Sequence, residues 1–89
     1  MEGLALLIKL LENNHIKYIY SDYAGNKSII IKNKNYCLEI FYDNLGFGSD
    51  LRKIPYTWGR MGITTLADII TDLKEYLNIE VSKCKEHYR

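Results

Sequence analysis

Between residues 16 and 43 three short runs rich in β-branched and aromatic residues follow one another with almost nothing in between. They are Ile16 to Tyr23, Lys27 to Lys32 and Asn35 to Asp43. Such runs favour extended chain, and the separators Ala24-Gly25-Asn26 and Asn33-Lys34 tolerate positive φ, so tight hairpins are predicted. With two-residue loops at Gly25-Asn26 and Asn33-Lys34, Tyr20 faces Ile31, Asp22 faces Ile29, Ile31 faces Tyr36 and Ile29 faces Leu38. Side chains alternate between the faces of a sheet. One face then gathers Ile16, Tyr18, Tyr20, Ile29, Ile31, Tyr36, Leu38, Ile40 and Tyr42. The other gathers Lys17, Ile19, Ser21, Tyr23, Ser28, Ile30, Lys32, Cys37, Glu39 and Phe41. The first set is the predicted core side.

A helix precedes this sheet and another follows it. Leu4, Leu7, Ile8 and Leu11 recur at helical spacing within residues 2–13, and Leu6 and Leu10 widen the apolar face. The second helix begins at Thr64 or Thr65, where Thr65 and Asp68 resemble a capping box. Leu66, Ile69, Ile70, Leu73, Tyr76 and Leu77 mark its buried side, and Asn78 ends it. Residues 79–89 read as a tail or a helical extension. Residues 44–63 hold four of the six glycines and the only proline, and read as irregular. A short fourth strand at Arg52 to Trp58 would sit at the sheet edge, where Pro55 is tolerated. The expected fold is therefore α+β, of order α-β-β-β-(β)-α, a two-layer sandwich with both helices on one face. At 89 residues it is one domain, with its core within about residues 2–78.

Composition narrows the functions. The formal net charge is +1, and its sign alternates along the chain. Residues 15–36 carry +3 (Lys17, Lys27, Lys32 and Lys34 against Asp22), while 37–51 carry −3 (Glu39, Asp43 and Asp50). That is neither a broad basic footprint nor an acidic mimic of nucleic acid. The longest apolar run, Leu4 to Ile8, is far short of the roughly 20 residues that cross a bilayer. The start Met1-Glu2-Gly3 lacks a basic export signal, so a cytoplasmic location is expected and no membrane partner. Cys37 and Cys84 are read as free thiols, without the spacing of a zinc site toward His15 or His87. Gly46-Phe47-Gly48 lacks the lysine of a phosphate loop. Neither a catalytic residue, nor a metal site, nor a cofactor is predicted.

What stands out is amphipathic bulk: eight tyrosines and one tryptophan. Tyr and Trp give large contact area at low entropic cost, and with Arg they are enriched at binding hot spots. Two candidate surfaces follow. Tyr23, Ile30 and Phe41 lie on the second face of the sheet, and Tyr56, Trp58 and Arg60 lie in the glycine-rich stretch, with Arg52 and Lys53 nearby. Exposed apolar patches on small proteins mark partner surfaces. Basic groups interleaved with rings also suit stacking on nucleic-acid bases. Self-association through Leu6 and Leu10, or through the second sheet face, is the further alternative.

Two family resemblances enter here. The α-β-β-β-α order resembles the double-stranded-RNA-binding domain, which implies an RNA-binding alternative. In that family a lysine-rich helix N-terminus grips phosphates, whereas the matching stretch Gly62 to Asp68 has no lysine. In size, architecture and composition (twelve Ile, nine Lys and seven Asn against three Arg), the chain is similar to small phage and mobile-element proteins of low-GC bacteria, the anti-CRISPR type included. That resemblance carries no motif. It implies a non-enzymatic inhibitor whose partner is a larger protein such as a Cas effector.

Overall fold

A computed structural model describes residues 2–55 and 58–79. Its elements are α1 (Glu2–Asn13), β1 (Tyr18–Tyr23), β2 (Asn26–Lys32), β3 (Tyr36–Asp43), β4 (Gly46–Lys53), β5 (Trp58–Thr64) and α2 (Leu66–Tyr76). The fold is α+β, and the five strands form one antiparallel meander in chain order.

α1 ends where His15 takes a positive φ of 56°. The His15 N–H then bonds the Glu12 carbonyl and the Ile16 N–H bonds that of Leu11, the paired return bonds of a Schellman end. α2 starts at the predicted cap: Thr65 Oγ1 accepts from the Asp68 N–H at 3.2 Å. Asn78, with φ 56°, closes it, and the Ile79 N–H turns back to the Leu73 carbonyl.

The faces of the sheet agree with the predicted alternation, but the register is displaced by two residues. Tyr20 faces Ile29 rather than Ile31, and Ile31 faces Leu38 rather than Tyr36. In the first hairpin the turn residues are Ala24 and Gly25, at φ 53° and 85°, because Tyr23 pairs with Asn26. Both central residues thus take the positive φ of a type I′ turn, a state that costs alanine energy. In the second hairpin the Asn33 side chain accepts from the N–H groups of Asn35 and Tyr36, which lengthens the loop. A shift of two preserves parity, so every side chain keeps its predicted face. Replacing Ala24 with Asn, which adopts positive φ more readily, should raise unfolding stability by about 0.5–1 kcal/mol. Urea denaturation of the two proteins measures it, and a destabilised variant would mean the turn is built differently.

The stretch read as irregular is in fact two full strands. β4 and β5 pair along seven residue positions, from Phe47↔Thr64 to Lys53↔Trp58, and Pro55 lies in the turn between them. The proposed strand at Arg52 to Trp58 therefore straddles a strand end, a turn and a strand start. Glycines obscured the pattern: along β4 the alternation is Phe47, Ser49, Leu51 against Gly48, Asp50, Arg52.

The buried core takes Leu4, Leu7, Leu10 and Leu11 from α1, and Ile69, Leu73, Leu77 and Ile79 from α2 and its exit. The sheet adds Ile29, Ile31, Leu38, Ile40 and Leu51. All five strand residues share one parity. Leu10 is 1% exposed, and Leu6 packs partly buried against the same core. Tyr18 anchors the start of β1 by donating its hydroxyl to Glu12 at 2.9 Å. Its phenol is raised above the ordinary value, first by that hydrogen bond to a carboxylate.

Candidate functional site

The strand ladder sorts the side chains of the opposite parity into rows. One row across the sheet reads Ile19, Ile30, Glu39, Asp50, Met61, and the next reads Ser21, Ser28, Phe41, Gly48, Ile63. In these rows Ile19 is 66% exposed, Phe41 39%, Met61 72% and Ile63 97%. Tyr23 and Leu45 are also largely exposed at one end of the sheet. A row of large apolar side chains standing in water is costly to a monomer and useful to a binding surface.

Gly48 shapes the centre of this face. With no side chain between Phe41 on β3 and Ile63 on β5, a notch of about 180 Å3 opens, lined also by Leu45, Gly46 and Phe47. A Cβ at Gly48 would sit 3.5 Å from the Gly62 carbonyl and 3.9 Å from Phe41, ordinary contact distances. Space of this size accepts a single large apolar side chain. The Asp43 side chain accepts from the Leu45 N–H at 2.8 Å, which fixes the turn that carries Leu45 to the rim.

Polar groups stand between these apolar side chains. Glu39 and Asp50 lie directly opposite each other in the ladder, a like-charge pair that costs stability. Arg52 offsets this by donating from Nε and Nη2 to the Asp50 carboxylate, the Nη2 bond at 2.8 Å. Ser21 and Ser28 share a hydrogen bond of 2.7 Å. Exposed apolar side chains interleaved with polar ones, one carboxylate of the central pair being held by Arg52, are also what a protein interface presents.

The predicted site residues divide. Tyr23, Ile30 and Phe41 do share this outer face, with Ile30 half-buried between Ile19 and Glu39. Trp58 and Arg60 belong to the other parity. Trp58 stacks toward Tyr76 of α2 with ring centroids 6.2 Å apart, and Arg60 donates to Asp72 of α2. Arg60 and Arg52 thus lie on opposite faces, each already bound to a carboxylate, and the expected basic-aromatic patch is not assembled from them. Tyr56 lies outside the described residues, as do Cys84, His87 and the tail beyond Ile79. Met61 and Ile63 went unrecognised in the sequence. Their alternation with Arg60 and Gly62 was the available signal, masked by reading the segment as a loop.

Among the described residues no three His, Cys, Asp or Glu side chains cluster to hold a metal ion. No helix among them is long and apolar enough to cross a membrane. Cys37 is a free, partly exposed thiol on the outer face. Comparison with family models, with curated proteins and with solved structures found no match.

Proposed function

We propose that the chain is a non-enzymatic protein-binding module that grips a larger partner with the outer face of its sheet. The observation that carries this reading is the exposed apolar set Ile19, Phe41, Met61 and Ile63 on that face, of which Phe41 and Ile63 line the Gly48 notch. Both helices are inferred to shelter the opposite face. In support, the core joins residues of α1 and α2 to strand residues of one parity only. Arg60–Asp72 and the ring contacts of Tyr76 with Tyr36 and Trp58 tie α2 to that same parity. The partner-facing set is then Tyr23, Ile30 and Phe41 with Ile19, Met61 and Ile63. Trp58 and Arg60 act within the fold.

The likeness to anti-CRISPR-type proteins makes a bacterial defence effector, a Cas complex for instance, the first partner class to test. Blockade would come through shape and apolar anchoring, since the net charge of +1 does not mimic DNA. Capture from a lysate of the producing bacterium should retain one dominant protein, and cross-linking should map it to β3 and β5. Gel-shift titration at two salt concentrations tests the RNA or DNA alternative. Tight nucleic-acid binding with a steep salt slope, and no captured protein, would overturn the reading.

A further inference from the structure

A second concavity lies on the helix side of the sheet edge, between β5 and α2. Ser49 and Gly62 line it from the strands, where they face each other across the ladder. Asp68, Thr71, Asp72 and Glu75 line it from α2, and the cleft measures about 390 Å3. Gly62 is the reason for its depth: a Cβ built there meets no atom within 4 Å.

The electrostatics of this cleft are one-sided. Asp68, Asp72 and Glu75 fall at i, i+4 and i+7, one stripe of the helix. Arg60 spends its charge on the buried carboxylate of Asp72. Its guanidinium is held more firmly protonated by that bond, with smaller help from the field of Asp68. Asp68 and Glu75 make no ion pair among the described residues. The cleft thus keeps an excess of two negative charges after its one cation is counted.

Ser49 supplies an independent sign. It is only 5% exposed, yet its hydroxyl has no hydrogen-bond partner among the described residues. A hydroxyl that is mostly withdrawn from water and still lines an open cleft is poised to bond whatever enters. Thr71 donates its own hydroxyl to the Ala67 carbonyl, at 3.1 Å, which leaves its oxygen lone pairs able only to accept.

From Ser49, the Gly62 gap and the α2 carboxylates, the geometry points to a binding cleft for an alkylammonium group. An ammonium has three donors and no acceptor, matching the carboxylates and hydroxyls that line the cleft beside the Asp72-bound guanidinium of Arg60. The group could come from a lysine side chain of a protein partner or from a free polyamine. The cleft shares Met61 and Ile63 with the outer face, so its test reads amine binding at Ser49, Gly62 and Thr71 and not the capture of a protein.

The test is a nuclear magnetic resonance titration of the full chain with three probes: Nα-acetyl-lysine methylamide, its norleucine counterpart, and spermidine. Saturable shifts at the amides of Ser49, Gly62 and Thr71, given by an amine and not by norleucine, support the cleft. Whichever amine saturates first identifies the source. Gly62→Val fills open space in a strand and should keep the spectrum of a folded protein while weakening amine binding roughly tenfold or more. Glu75→Gln, at an exposed helix position, should weaken it severalfold without touching the fold. The proposal is overturned if the amines give no saturable shift, if norleucine binds as well, or if Gly62→Val binds as the parent does.

Discussion

Leu38→Ala should lower unfolding stability by about 3 kcal/mol, within the usual 2–5 for a buried leucine. Leu38 is fully buried at the centre of the middle strand, between Ile31 on β2 and Leu51 on β4. Truncation there opens a cavity bordered by ordered ladders that cannot easily collapse. In a domain of this size the loss corresponds to roughly 12–24 °C in Tm. Ile63→Ala removes a comparable side chain that is 97% exposed, and should stay within about 0.5 kcal/mol of the parent. Denaturant unfolding of both variants reads the contrast directly. Losses of similar size would mean that the two faces of the sheet are not distinguished as described.

The second large effect is on association. Phe41→Glu combined with Ile63→Glu puts a charge on each wall of the Gly48 notch. A lost hot spot costs at least about 2 kcal/mol, so affinity for the captured partner should fall roughly thirtyfold or further. Stability should change little, because neither side chain contributes to the buried core. Trp58→Ala serves as the matched control: it removes the ring that stacks toward Tyr76 and should leave capture intact while trimming stability. Binding isotherms and melts on the same preparations separate the two effects. Undiminished capture by the double variant, or capture abolished by Trp58→Ala, would move the interface to the other face of the sheet.

How much of this was legible in the sequence follows from which property each residue reports. Facing depends only on parity, so Ile29, Ile31, Leu38 and Ile40 were assigned to the core and Ile19, Tyr23, Ile30 and Phe41 to the outside despite a register wrong by two. Register itself depends on which residues adopt positive φ, and Ala24 does so against its own preference. The helices were legible because their apolar stripes are long and Thr65 caps by a side-chain bond visible as a motif. β4 and β5 were not. An edge strand whose inward residues are Trp58, Arg60, Gly62 and Thr64 has no apolar alternation to read. With β5 went Met61 and Ile63, two of the six residues of the candidate interface, and the cleft in which Ser49 faces Gly62.

The meander has a kinetic corollary. Each strand finds its partner a few residues away along the chain, so no long loop must close before the sheet gains stability, and low contact order speeds folding. The helices are what must find distant partners, as Gly3 of α1 does beside Phe47 and Leu66, and Tyr76 of α2 does with Asn33. Hairpins can therefore zip in succession while the two terminal helices dock last, and the sheet's bare apolar rows are the surface such a nascent chain would display first.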